Sequence, residues 1–470
     1  MTADLPGRDH PDRPQARGIA SEWVSPGDLS VTRRGRWFRG DLLAVAAIGV
    51  HLVLALSLRV SAWPEVTTPA YLCSRGMLLY RDIKFVHTPG TITTLALAFL
   101  AFGVKTWVVR LYAIAWPLIA HLFILRYTRR FASSERALAS LFFLTFFFSI
   151  EGSAVWPTVV LSAFSLPIAA ALSRGRMLRA GLLIGIAILF KQTVGYLLIV
   201  ATLALSAGRR WRDAGKLIFW SSLPYWITIA IFAILGAGAD ALRWTIEVPF
   251  TVLHGIFSFR PSRYDMSVLL FAFLPTAVDA VLERADDEGP RSRWLLIVAL
   301  GLAAMSYPRF GLPTTGAAVP CLAVGAARFV RRLSSLRWPR ARAYGYGLVV
   351  TYAVSRGLIL FTNREFDAKV LFWNDTPALD ALALRLRRFS PQTPLYSPLW
   401  ENVLPRSGLL PPGRLYVNPY FDYLFPVDDV GNRVRAASRR PGVIVVDYRR
   451  SRSDGEIVGP FVIRRNLPTE

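Results

Sequence analysis

From residue 42 to residue 361 the chain alternates long apolar runs with short polar breaks. The runs fall at about 42–58, 107–125, 137–150, 156–173, 180–190, 194–207, 216–236, 266–282, 294–307, 312–329 and 343–361. A helix needs about 20 apolar residues to cross a hydrocarbon core about 30 Å thick. The pattern therefore predicts a mainly α, multispan membrane protein. Several runs are short for a full crossing, which predicts broken or tilted helices.

One further run, residues 91–104, decides the topology. It is short for a span and reads as an interfacial or re-entrant helix. If it crossed, the next span would carry Arg126, Arg129 and Arg130 to the outer side, and every later arginine cluster would be inverted. Kept on the outer surface, it leaves all the clusters inside, as the positive-inside rule requires. These clusters are Arg33, Arg34, Arg36 and Arg39; Arg174, Arg176 and Arg179; Arg209, Arg210 and Arg212; Arg284, Arg291 and Arg293; and Arg331, Arg332, Arg337, Arg340 and Arg342. The expectation is eleven spans plus one juxtamembrane helix, with the N-terminus cytoplasmic and the C-terminus outside.

Three domains follow. Residues 1–40 are polar, rich in Pro and Arg and without a signal-peptide core, and read as a disordered cytoplasmic tail. Residues 41–362 form the transmembrane domain. Beyond Asn363 the composition changes to that of a small soluble α/β domain, residues 363–470. There a helical pattern at Pro377–Arg388 precedes β-rich runs at Thr393–Leu399, Leu415–Asn418, Gly442–Tyr448 and Phe461–Ile463. The larger outer loop Gly236–Asp265 contains an amphipathic piece around Trp244–Phe259. No internal repeat is visible, which argues against transporters built on inverted halves.

Composition narrows the class. The chain is 53% hydrophobic with a formal net charge of +24 and a mean hydropathy of +0.38. Such a charge on one soluble face would suggest nucleic acid, but membrane topology already accounts for the arginines, so no nucleic-acid partner is expected. Cys73 and Cys321 lie in unlike settings, which predicts neither a disulfide nor a metal site. No Gly-rich phosphate loop or nucleophile elbow is present.

The chemistry concentrates in residues 63–90, WPEVTTPAYLCSRGMLLYRDIKFVHTPG, the connection after the first span. It holds Glu65, Arg75, Arg81, Asp82, Lys84 and His87. A carboxylate there can take a proton from an acceptor, and the cations can hold a phosphate leaving group. The alternative is a wetted loop in which Asp82 pairs with Arg81 or Arg75. Lys191 and Gln192 sit between two apolar runs with no room for a loop, where a charge costs about 2.5–3.5 kcal/mol. Lys191 either meets an anionic ligand or snorkels to the interface. Arg309, between Pro308 and Pro313, and Arg110, opening the second span, are each a phosphate ligand or an interface anchor. His51 and His121 read as satisfied core histidines. Glu151, Glu247 and His254 are outer residues without distinctive spacing.

At these residues the chain resembles the GT-C superfamily of polytopic glycosyltransferases, particularly bacterial members similar to the aminoarabinose transferase, protein mannosyltransferase and glycosyltransferase family 39 group. The resemblance rests on GMLLYRDIKFVHTPG (76–90), AFG (101–103), Arg110, GLLIGIAILFKQTVGY (181–196) and YPRF (307–310). It implies a polyprenyl-phosphate-linked sugar donor, an outward-facing site in the bacterial cytoplasmic membrane, and a glycan, lipid or protein acceptor. It also implies a catalytic Asp soon after the first span. The positional match is Glu65, and no Asp occurs between Asp41 and Asp82. Either Glu65 replaces the base, Asp82 takes the role, or activity is lost. The acidic residue and histidine that relatives carry after the Pro-Arg pair are here Gly311 and Thr314. Lys191, Arg309 and Arg81 are the donor-phosphate candidates; Lys84, His87, Arg110, Gln192 and Tyr80 are further substrate contacts. No cofactor follows from the residues, and a divalent-metal requirement stays open. The rival expectations are a lipid-linked sugar flippase, which needs a polar path through His51, His121, Asp279 and Arg356, and a catalytically silent scaffold of an envelope assembly complex.

Overall fold

The computed structural model describes residues 34–470 apart from 151, 254–259, 284–290, 308–309, 336–338, 373–375, 399–402, 419–423, 449–454, 459 and 467–470. Two compact units are present, Met1–Leu42 and Leu43–Glu470. Of the first, only the start of helix α1 is described, so the expected disordered tail lies outside the described residues. Residues 363–470 fall in the same unit as the helices that precede them.

The elements run α1 (Arg34–Ser57), β1 (Val60–Ala62), α2 (Pro64–Ser74), β2 (Ile83–Lys84), α3 (Gly90–Phe102), α4 (Thr106–Tyr127), α5 (Ser133–Ser149), β3 (Ala154–Val155), α6 (Pro157–Ser173), α7 (Met177–Phe190), α8 (Gly195–Ala207), α9 (Trp211–Ile234) and α10 (Gly238–Leu242). They continue with α11 (Arg263–Val281), α12 (Ser292–Ala303), α13 (Val319–Ser334), α14 (Pro339–Asn363), β4 (Val370–Phe372), α15 (Pro377–Leu386), β5 (Leu395–Tyr396), α16 (Val403–Ser407), β6 (Tyr416–Val417), α17 (Val430–Ser438), β7 (Ile444–Tyr448), β8 (Glu456–Val458) and β9 (Phe461–Arg465). The helices follow the apolar runs within a few residues at most ends. Among the described residues four are long and apolar enough to cross a membrane: Thr106–Tyr127, Trp211–Ile234, Arg263–Val281 and Arg340–Asn363. The chain is an integral membrane protein.

Helices α6 and α13 are buried along nearly their whole length, whereas α9 turns Ile218, Phe219, Trp226, Ile227 and Ile231 outward. Small residues set the closest helix approach. A Cβ on Gly181 would lie 2.6 Å from Trp220 Cβ, and one on Gly185 would lie 2.5 Å from the Ser221 carbonyl oxygen. This is the small-xxx-small contact by which apolar helices gain van der Waals packing without a hydrophobic drive. Helix α3 has 13 residues, about 20 Å of helix, too short for the hydrocarbon core. Its Thr91, Ile92, Leu95, Ala96 and Phe99 are buried and it packs on α2, while Leu97, Leu100 and Phe102 stay exposed.

Two departures from the sequence reading matter for the site. The stretch 63–90 is not simply a connection, because it opens with the 11-residue helix α2, which has Pro64 at its first turn and Glu65 beside it. Pro is pre-organised there and an acid complements the helix dipole. The β-rich run at Leu415–Asn418 does form a strand, β6, but not in the C-terminal sheet. That sheet has the order β5-β7-β9-β8, and β6 instead pairs in parallel with β2, Ile83 against Tyr416 and Lys84 against Val417. A third sheet, β3-β1-β4, gathers the connections that follow α1, α5 and α14. The expected amphipathic piece around Trp244–Phe259 forms two π-helical turns, Arg243–Glu247 and Pro249–Leu253, and its last residues lie outside the described set.

Candidate active site

The turn after α2 is drawn tight by its own groups. The Leu78 amide donates to Asp82 Oδ2 at 2.8 Å, and Arg81 Nε donates to Asp82 Oδ1 at 3.1 Å. Arg414 approaches the same carboxylate at 3.9 Å. Burial alone would raise the Asp82 carboxyl pKa, but the Arg81 and Leu78 hydrogen bonds and the two guanidinium charges outweigh it and hold the group below its ordinary value. Asp82 therefore fastens the loop it sits in. Arg81 is half exposed and committed to Asp82.

Glu65 is in a different setting. It is 3% exposed, on the first turn of α2, and its charge is felt by the Tyr416 side chain, which is hydrogen-bonded to Thr68 one turn further along the helix. Burial, together with the Glu65 charge, raises the Tyr416 phenol despite the Thr68 hydrogen bond.

Tyr80 sits at the centre of the turn. Its φ of +69° is left-handed, a strained conformation for an aromatic residue. The strain is held by packing: the ring is fully buried against Phe232, and its hydroxyl donates to the His87 carbonyl at 2.9 Å. Lys84 Nζ donates to the Tyr80 carbonyl at 2.8 Å and faces Asp240 at 3.5 Å and the Trp244 ring at 5.7 Å. Burial depresses the Lys84 ammonium pKa, and Asp240 offsets part of that shift. The His87 ring is half-buried, edge-on to Phe85.

The end of the loop docks on the break between α7 and α8. Lys191 leaves the helix with an extended backbone, φ −157°. Gln192 Nε2 donates to the Val86 carbonyl at 2.8 Å, and Thr88 Oγ1 donates to the Ile188 carbonyl at 2.7 Å. A Cβ on Gly90 would stand 2.6 Å from the Leu189 carbonyl oxygen, so only glycine allows this approach. Tyr80, Lys84, His87 and Gln192 are thus brought together, with Lys191 beside them.

Arg110 is elsewhere. Its guanidinium donates to the carbonyls of Leu56, Leu58 and Ala368, tying the end of α1 to the segment that leads into β4. Arg309, Glu151 and His254 lie outside the described residues; Glu247 is exposed. The ionisable groups within the helices form three separate clusters among the described residues. His51 Nδ1 meets His121 Nδ1 at 3.2 Å. Asp279 accepts from Arg328 at 3.2 Å and Arg332 at 2.5 Å. Arg356 donates to Ser149 and Tyr264. Among the described residues no three His, Cys, Asp or Glu converge as metal ligands.

The structure adds Asp240, Trp244, Arg414 and Tyr416 to the neighbourhood. Only Asp240 carried a sequence signal, as an acid in an otherwise apolar outer stretch. Among the described residues, three of the five non-glycine residues with positive φ, namely Tyr80, Arg414 and Asp428, belong to this junction or to the Arg243–Asp428 ion pair beside it. Local strain of this kind persists where surrounding contacts over-determine it and clusters at functional sites.

Comparison with known proteins identifies the fold. Two crystal structures of ArnT from Cupriavidus metallidurans share it. The apo structure aligns with a TM-score of 0.56 at 15% identity, covering 88% of this chain and 93% of that one. The structure bound to undecaprenyl phosphate aligns with a TM-score of 0.56 at 13% identity and the same coverage. The GT-C-type fold implied by the motifs is therefore the observed one. No family model matches the chain, and no curated protein does.

Proposed function

We propose that the protein is a GT-C-type glycosyltransferase that moves a sugar from a polyprenyl phosphate to an acceptor outside the membrane. The carrying observation is the buried Glu65 carboxylate at the start of α2, in a loop bound to the Lys191–Gln192 helix break, on a fold shared with a protein solved with undecaprenyl phosphate. Glu65 accepts the proton of the acceptor hydroxyl as its oxygen attacks the anomeric carbon. The bond from that carbon to the phosphate oxygen breaks, the configuration inverts, and the polyprenyl phosphate leaves with the bonding pair. Lys84, Lys191 and Arg309 stabilise the leaving charge. Asp82 keeps the loop in place and takes no proton. Eleven spans with an outer C-terminus are part of this reading, supported by the β3-β1-β4 sheet, whose three strands all follow spans assigned to end outside.

The flippase reading loses support from the way the intramembrane ionisable groups are distributed, because the His51–His121, Asp279–Arg328 and Arg356–Ser149 clusters are separate and none continues the next. The test is turnover by the purified full-length protein in proteoliposomes with a panel of polyprenyl-phosphate-linked sugars, read as released polyprenyl phosphate. Glu65→Gln is expected to lower kcat about 10²–10⁴-fold, the usual worth of a general base, while the folded yield is kept. Wild-type turnover in Glu65→Gln refutes the assignment of the base. Scrambling of labelled lipid without any transfer by the wild type refutes the transferase reading.

A further inference from the structure

The C-terminal strand β6 touches the loop of both candidate acids. Its Tyr416 amide donates to the Asp82 carbonyl at 2.8 Å, and the strand continues in register with Ile83 and Lys84. Two residues earlier, Arg414 reaches the Gly76 carbonyl and lies 3.9 Å from the Asp82 carboxylate. Arg414 adopts a left-handed backbone, φ +52°, as Tyr80 does on the opposite side of the pairing. Upstream, the Leu409 carbonyl accepts from the Tyr71 hydroxyl of α2 at 3.1 Å. The Tyr416 side chain turns towards α2, where it bonds Thr68 beside Glu65.

A tether needs only one such contact, and here there are several. They converge on α2 and the turn after it, which carry the two acids, and the chain accepts unfavourable backbone conformations at Arg414 and Tyr80 to make them. We infer that β6 is part of the transfer site, with Arg414 as the positioning residue for Asp82 and Tyr416 holding, through Thr68, the turn of α2 that carries Glu65. The C-terminal region then sets the protonation and direction of the loop's carboxylates as well as any acceptor contact it makes. This inference rests on the transferase reading only for the use made of Glu65, and the test separates the two.

The experiment uses the full-length protein in nanodiscs, labelled with dicyclohexylcarbodiimide, which adds to a protonated carboxyl. Modification of Glu65 and Asp82 is followed by peptide mass spectrometry across roughly pH 4 to 8. A guanidinium beside a carboxylate favours its charged form. Tyr416→Phe keeps the ring and removes the hydroxyl that holds Thr68, so the Glu65 labelling midpoint should shift from its wild-type position. Arg414→Ala should raise the Asp82 midpoint, and Arg414→Lys should restore part of it. A role in packing alone would move neither midpoint. Unchanged midpoints in monodisperse protein overturn the inference even if Glu65→Gln abolishes transfer. A shifted Glu65 midpoint upholds it even if Glu65→Gln still transfers, in which case only the assignment of Glu65 as the base falls. Arg414 is largely exposed, so its variants decide the outcome if Tyr416→Phe does not fold.

Discussion

Gly90 offers the sharpest test of how the loop is held. Replacing it with alanine places a Cβ 2.6 Å from the Leu189 carbonyl oxygen, 2.8 Å from its carbon and 3.0 Å from the Phe190 nitrogen. All three atoms are backbone in the last turn of α7, so no side-chain rotation relieves the clash. Restoring an ordinary contact of about 3.5 Å requires the two backbones to separate by about 1 Å. The Gln192–Val86 and Thr88–Ile188 hydrogen bonds, 2.8 and 2.7 Å long, would then stretch beyond bonding range. Overpacking costs about 1–3 kcal/mol, and two lost hydrogen bonds add about 0.5–1.5 kcal/mol each, so Gly90→Ala should destabilise by about 2–6 kcal/mol. Gly195, close by at the start of α8, has nothing within 4 Å of an added Cβ, and Gly195→Ala should be neutral or slightly stabilising. Denaturant unfolding in detergent micelles, followed by tryptophan fluorescence, compares the pair with wild type. Coincident unfolding curves for Gly90→Ala and Gly195→Ala would show that the loop does not rest on α7 as described.

Other expectations follow from particular contacts. Asp82→Asn should destabilise the loop in a pH-dependent way. The folded pKa of Asp82 is depressed, so its contribution is present above the unfolded value, about 3.9, and is lost as pH falls through the folded value. The stability gap between wild type and variant should therefore be widest near neutrality and close in acid; a gap that grew in acid would contradict the assigned hydrogen bonds. Asp279→Asn takes the charged carboxylate from between Arg328 and Arg332, leaving Glu283 at 3.9 Å from Arg328, and should cost about 3–5 kcal/mol, measured by the same unfolding assay. Arg110→Ala should lower thermal stability, because the guanidinium is spent on the Leu56, Leu58 and Ala368 carbonyls.

What could be read in the sequence was what obeys a period or a charge rule. The short run before Lys105 was legible as a helix of about its own length, and α3 forms there. Helix α2 was hidden because its apolar and polar residues show no clean stripe; the visible signal was Pro64 with Glu65 at a helix start. The pairing of β2 with β6 was beyond reach, since two-residue strands have no periodicity and their partners lie far apart in the chain. For Asp82 the sequence left a base and a salt-bridged acid as alternatives, and no local pattern shows that the Leu78 amide joins Arg81 on its carboxylate. For Arg110, no local pattern distinguishes a guanidinium that binds phosphate from one that collects backbone carbonyls.

The sheet β3-β1-β4 also bears on biogenesis. Val60 pairs with Val370 and Ser61 with Leu371, partners made more than three hundred residues apart. A ribosome-bound chain that has already inserted its first helix must wait for nearly the whole polypeptide before β1 gains its second neighbour. Loop-closure entropy makes so distant a pairing slow. The sheet therefore cannot be finished early: a nascent or prematurely ended product would expose raw strand edges at β1. Such edges suit capture by quality-control proteases.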